Sequence, residues 1–297
     1  MPHYLLPIPT CSVFATGGAI GDVLFFFCFG FTLFLGRMGR FDNWYKRRIN
    51  RIYPHRFCMG HIKYFLFQPA SEYGLYHYSW WRMVRNLHIM IYYAVLYFIQ
   101  RFMLHQLKWV FGIVTLICIA CYFIMDRPAD YNMYGATYFK WGYYFLFMLL
   151  GAMMGISQKQ WSFNFKTDFI KVIGSAFVYY AILFAGRKYT PFSELQILSL
   201  IPLLFIVYYF YKVCNSDALK KWYTDKYIGW GIKFIGGLCL EIYLVQSTLF
   251  TDKMNNIFPL NILIMFLIIV VAYILRCSSR FFSQTFKDEE FNWKKIF

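Results

Sequence analysis

The sequence predicts an all-α protein, a polytopic bundle of about nine transmembrane helices. Three observations carry that prediction. Of 297 residues, 60% are hydrophobic and only 15% are charged, where an average soluble chain is about a quarter charged. The mean hydropathy is +0.44. Apolar runs of spanning length recur from one end of the chain to the other, with short connections between them. A soluble protein of this composition would not have enough polar surface to cover itself, which excludes a cytosolic enzyme, a disordered chain and a collagen-like fibre.

A spanning helix needs about 20 mostly apolar residues. Taken in order, the candidate spans are A, 13–35; B, 57–67; C, 86–99; D, 109–125; E, 139–156; F, 172–186; G, 195–211; H, 229–250; and I, 258–275. Span B is short and carries His61 and Lys63. Pro54 is expected to end the helical run before it and to start span B. There is no low-complexity linker and no evident internal repeat, so residues 1–297 read as a single membrane-embedded domain. A transporter would show paired broken helices and repeat symmetry, and neither is visible.

The net charge of +16 would point to nucleic acid in a soluble chain. In a membrane protein the positive-inside rule accounts for it, and no nucleic-acid partner is expected. Grouped by the loops between spans, 21 of the 30 Lys and Arg fall on one side and 7 on the other. Seven lie in loop 37–56 alone: Arg37, Arg40, Lys46, Arg47, Arg48, Arg51 and Arg56. That bias places loop 37–56 and the C-terminus in the cytoplasm, and nine spans then put the N-terminus outside. The first 21 residues carry no charged side chain, and they lack the basic region and cleavage site of a signal peptide. The chain reads as one that begins a helix late.

Few residues carry chemistry. Arg47, Arg48 and Arg51 lie within five residues. In a helix, 47 and 51 share a face with 48 beside it. Three guanidiniums at a membrane surface suit phosphate; setting topology or touching anionic lipid is the other reading. Glu241 is the one carboxylate in the middle of a span, where a charge is costly and needs a cavity or a partner. Its alternative is a structural bond to Lys233 or a tyrosine. Asp22 reads as interfacial. None of the six histidines, His55 included, sits beside a plausible acidic partner. Cys118 and Cys121 have C-x-x-C spacing inside an apolar run and read as packing, with no metal site expected.

Four segments together resemble the acyltransferase-3 family of integral-membrane O-acyltransferases. Gly21–Leu33 is similar to a phenylalanine-rich helix ending in Ser-Gly-Phe, Lys46–Pro54 to the basic K-R-x-x-R-I-Y-P segment, Tyr144–Gly155 to a helix ending in small residues, and Gly236–Gln246 to a late G-x-x-S-L-E-I-Y-L-V-H helix. Order and spacing agree over about residues 17 to 276. Phe29 and Cys239 stand where the family has serines, and Gln246 where it has a late His.

The resemblance implies ten spans, of which this chain would hold all but the first. It implies transfer of an acyl group, usually acetyl, from acyl-CoA to a hydroxyl of a surface or lipid-linked glycan. Acyl-CoA is then a co-substrate, with no permanently bound cofactor, in a multi-pass protein of the plasma (inner) membrane in contact with lipid. Carried over, Arg47, Arg48 and Arg51 bind CoA phosphates, Glu241 is the candidate catalytic group, and Tyr243 and Gln246 line the substrate pocket. The family's catalytic His lies on its first helix, so weak transfer is expected of this chain. The alternative is a degenerate, non-catalytic member, or a subunit whose partner donates the helix.

Overall fold

The computed structural model describes residues 18–36, 38–66, 89–126, 132–135, 137–157, 162–188, 194–249, 260–285 and 293. Every regular element among them is helical: α1 (Ala19–Leu35), α2 (Phe41–Leu66), α3 (Ile89–Phe102), α4 (Leu107–Ile124), α5 (Phe139–Ile156), α6 (Phe165–Lys188), α7 (Leu200–Cys214), α8 (Asp217–Thr224), α9 (Ile228–Gly237), α10 (Cys239–Leu249) and α11 (Leu260–Thr285). Short 3-10 turns, Leu104–Gln106 and Gln196–Ser199, lead into α4 and α7. Among the described residues, five helices are long and apolar enough to cross a membrane, or six if the bent pair α9–α10 is one span. The apolar α1 and α3 are shorter than these. Span E coincides with α5, and spans A, C, D, F, G and I fall on α1, α3, α4, α6, α7 and α11. The outer ends of spans A, B, C, H and I lie outside the described residues.

Two expectations are corrected. Residues 41–56 are not a loop followed by a separate span B; from Phe41 the chain is one 26-residue helix that runs through Pro54. Arg and Lys are good helix formers, and Trp44, Ile52 and Met59 form a buried stripe at helical spacing on both sides of the proline. Burial of that stripe holds the helix across the turn that Pro54 weakens by removing an N–H. Span H is not one straight helix. It breaks at Leu238, after Gly236 and Gly237, with a 56° bend between α9 and α10. At the break Gly237 lets the Arg276 guanidinium of α11 approach closely: a Cβ there would lie 2.8 Å from it, and the arginine side chain would have to shift.

The core is built around α1 and α5, which cross with their backbones almost touching. A Cβ on Gly30 would fall 1.8 Å from the Met148 carbonyl oxygen, and one on Gly151 would fall 2.1 Å from that of Phe27. Gly151 and Gly155 form the small-x-x-x-small face that such packing needs in a membrane. Around the crossing, Phe26 stacks on Tyr144 at 4.3 Å. The Tyr144 hydroxyl donates to Asp22 at 2.6 Å, so Asp22 ties α1 to α5 rather than serving only the interface. Antiparallel to each other, α6 and α7 are joined by the half-buried Lys212 and the buried Asp168, 3.1 Å apart; the other oxygen of Asp168 accepts the Asn164 N–H at the start of α6. A smaller second core gathers Met59 of α2, Leu244 and Val245 of α10, and Ile264, Ile268, Ala272 and Leu275 of α11. Because Trp44 and Ile52 belong to the large core and Met59 to the small one, α2 is the helix that joins the two.

Candidate functional site

Continuing α2 through Pro54 puts Arg47, Arg51 and His55 at i, i+4 and i+8, one stripe about 12 Å long at 1.5 Å per residue. Arg47 and Arg51 are exposed. Arg48 sits beside them, half-buried, its guanidinium 4.9 Å above the ring of the buried Trp44, a cation–π contact. The Nε of Arg48 is buried and, among the described residues, meets no acceptor. Burial holds the Arg48 guanidinium below its ordinary pKa; nearby Tyr93 opposes the effect, while the like charges of Arg51 and Arg47 add to it. An anion bound here would offset both the burial and the repulsion.

At the far end of the stripe, His55 Nε2 meets Glu241 Oε1 of α10 at 2.9 Å. Glu241 is 5% exposed and lies in the first turn of α10, where the free amides and dipole of a helix start favour a carboxylate. The Arg276 guanidinium of α11 adds a third charge nearby. His55 Nδ1 is 2.8 Å from the Arg51 carbonyl one turn earlier. The partner of Glu241 is therefore His55 and not Lys233, whose ammonium lies 4.7 Å over the Tyr223 ring. The pairing also corrects the expectation that no histidine faces an acid.

Beside the pair is a narrow apolar pocket lined by Phe25 and Phe29 of α1, Ile52 of α2, Ile89 of α3, and Leu240, Tyr243 and Leu244 of α10. Ile52 precedes His55 by three residues and Leu244 follows Glu241 by three, so the pocket lies one turn from the pair on both helices. Tyr243 stacks on Phe25 at 4.9 Å, and Phe25 meets Phe29 edge-on at 4.5 Å. Phe29 thus fills with an aromatic wall the position where a serine was expected. Gln246 is half-buried on α10, five residues past Glu241, and does not line this pocket.

The basic segment and the late helix, far apart in sequence, are thus brought into contact by one side chain. Compared with known proteins, residues 3–277 match the family model described as an acyltransferase domain, Acyl_transf_3. The chain belongs to the acyltransferase-3 family. No curated protein and no solved structure matches it. All four recognised segments of this acyltransferase-3 chain lie inside the match, as do Arg47, Arg48, Arg51, His55, Glu241, Tyr243 and Gln246. With its several apolar helices, it is a multi-pass membrane acyltransferase-domain protein.

Sequence reasoning missed His55. The signal was its i+4 spacing from Arg51, which becomes visible only when the helix is continued through Pro54.

Proposed function

We propose that this protein transfers an acyl group, acetyl in the simplest case, from acyl-CoA to a hydroxyl of a surface or lipid-linked glycan. On this reading Arg47, Arg48 and Arg51 hold the CoA phosphates at the cytoplasmic face of the plasma (inner) membrane. Glu241 and Tyr243 line the acceptor side, with Gln246 further along α10. The C-terminus is cytoplasmic and the N-terminus outside. The observation that carries the proposal is the continuity of α2. One helix presents three guanidiniums, one with a buried N–H that lacks an acceptor among the described residues, and then His55, paired with the buried Glu241. Charge-assisted bonds from guanidiniums to phosphate are strong and geometric, and a carboxylate in an enclosed site is suited to moving the hydroxyl proton.

The purified protein in lipid nanodiscs, given radiolabelled acetyl-CoA and octyl glucoside as a membrane-anchored sugar hydroxyl, should form labelled ester and release free CoA thiol. If CoA binds but neither ester nor hydrolysis exceeds the protein-free rate, the acyltransferase reading fails and the non-catalytic alternative replaces it.

A further inference from the structure

The short helix α8 has two unlike sides. Leu219, Trp222 and Tyr223 share one side at i, i+3 and i+4, while Asp217, Lys220, Lys221 and Thr224 share the other. A helix packed on its own protein covers its apolar side. Here Trp222 is 59% exposed and Tyr223 51%, and α8 has no buried residue. Its place in the chain is fixed by two candidate spans. The first, α7, ends at Cys214 just before α8, and α9, the first half of the bent span, begins at Ile228 just after it. Connections this short hold α8 at the membrane boundary. The turn into α9 is also firm. A Cβ on Gly229 would fall 2.2 Å from the Tyr223 carbonyl oxygen, so the two helices meet backbone to backbone. Asp225 Oδ1 accepts the N–H groups of Tyr227 and Ile228, each at 2.9 Å. The Lys233 ammonium lies 4.7 Å over the Tyr223 ring. Past the turn, Tyr227 and Trp230 are exposed.

We propose that α8 and the turn into α9 bind the headgroup of an anionic phospholipid, with Lys220, Lys221 and Lys226 at the phosphate and Trp222, Tyr223 and Tyr227 seated at the level of the glycerol. An uncovered apolar side opposite a lysine side is the pattern of a helix lying in the membrane interface, and Trp and Tyr rings favour the headgroup level. Charge selects the anionic lipid. Between residues 217 and 233 four lysines, Lys220, Lys221, Lys226 and Lys233, stand against Asp217 and Asp225. Asp217 lies 3.4 Å from Lys220, both exposed, and Asp225 is engaged by the two amides of the turn. Among the described residues, Lys221 and Lys226 pair with no acid, and the Lys226 ammonium stands 5.8 Å over the Tyr227 ring. A lysine beside an anionic membrane surface contributes about fivefold in affinity, so three select such a lipid clearly over a zwitterionic one. This site does not depend on the acyl-transfer chemistry.

The test places the full chain in phosphatidylcholine nanodiscs doped with a phospholipid brominated beside the glycerol, either phosphatidylglycerol or phosphatidylcholine. The fluorescence of Trp222 is read as the difference between wild type and Trp222→Phe. Brominated phosphatidylglycerol should half-quench it at a mole fraction at least about tenfold below that needed with brominated phosphatidylcholine. In the triple variant Lys220→Ala, Lys221→Ala, Lys226→Ala, against the same triple carrying Trp222→Phe, the two lipids should quench within about twofold of each other. Both should still quench, because the apolar side of α8 is unchanged. Acetyl-CoA, the other source of phosphate, should leave the phosphatidylglycerol curve where it was. Equal quenching of the wild type by the two lipids overturns the proposal. Quenching by neither does so as well, and puts a protein surface rather than lipid against α8. Displacement of phosphatidylglycerol by acetyl-CoA overturns it in a third way, by assigning the lysines to the nucleotide.

Discussion

Replacing Arg47, Arg48 and Arg51 together with Ala should weaken CoA binding at least a hundredfold, measured by titration calorimetry in nanodiscs. A hydrogen bond to a charged group contributes about 1.5–3 kcal/mol, and each 1.4 kcal/mol is about tenfold in affinity, so losing even two such contacts accounts for the change. The triple Lys variant keeps the charge and loses the planar fork, and should recover only part of the affinity. Arg48 should be the most sensitive single position. Its guanidinium is held over Trp44 and its buried Nε has no acceptor among the described residues, whereas Arg47 and Arg51 are exposed and more screened. The triple variant Lys220→Ala, Lys221→Ala, Lys226→Ala removes the same charge from another basic segment and should change affinity by less than about threefold, since exposed charges beyond a Debye length of roughly 10 Å are largely screened. Equal losses in the two triples would mean that the arginines act only through net charge.

Gly151→Leu should prevent α1 and α5 from packing. The Cβ alone would meet the Phe27 carbonyl oxygen at 2.1 Å, and the obstacle is backbone rather than a movable side chain. Overpacking a core typically costs about 1–3 kcal/mol. Here the two helices must separate, and separation also disturbs Phe26 against Tyr144 and the Tyr144–Asp22 bond. The variant should fail to accumulate, or melt well below wild type when tryptophan fluorescence is followed in detergent. Gly174→Leu on α6, where a Cβ meets nothing within 4 Å, should melt like wild type. If Gly151→Leu did too, the α1–α5 crossing would be wrong.

Sequence reading succeeded where a span is long, apolar and uninterrupted. Phe139–Ile156 was legible to the residue, its C-terminal end marked by the polar run that follows Ile156. It failed at α2, where rules of local composition conflict with tertiary burial. Seven basic residues and a proline look like a loop, while the stripe Trp44, Ile52 and Met59 that keeps the segment helical has its meaning only against α1, α3, α10 and α11. The same error hid His55. The arginine cluster and Glu241 were both legible as chemistry, because phosphate needs forked donors and a mid-span carboxylate is costly. Their meeting was not, since nothing in a one-dimensional pattern brings residue 55 to residue 241. The break at Leu238 was hidden for a related reason. Gly236 and Gly237 fit an apolar span as well as a bend, and only the three-dimensional structure, with its 56° bend, distinguishes them.

Weak transfer was expected because the family's catalytic His lies on its first helix; the His55–Glu241 pair answers only the further expectation that no histidine faces an acid. What remains is whether α2 joins the donor site to the proton-handling pair. A structure of the protein with CoA bound tests this most directly. The prediction is that the CoA phosphates contact Arg47, Arg48 and Arg51, and that the chain runs along α2 with its sulfur end toward Glu241 and the pocket of Phe25, Phe29 and Tyr243. CoA bound away from α2, or on α2 with its sulfur directed away from Glu241, would contradict it.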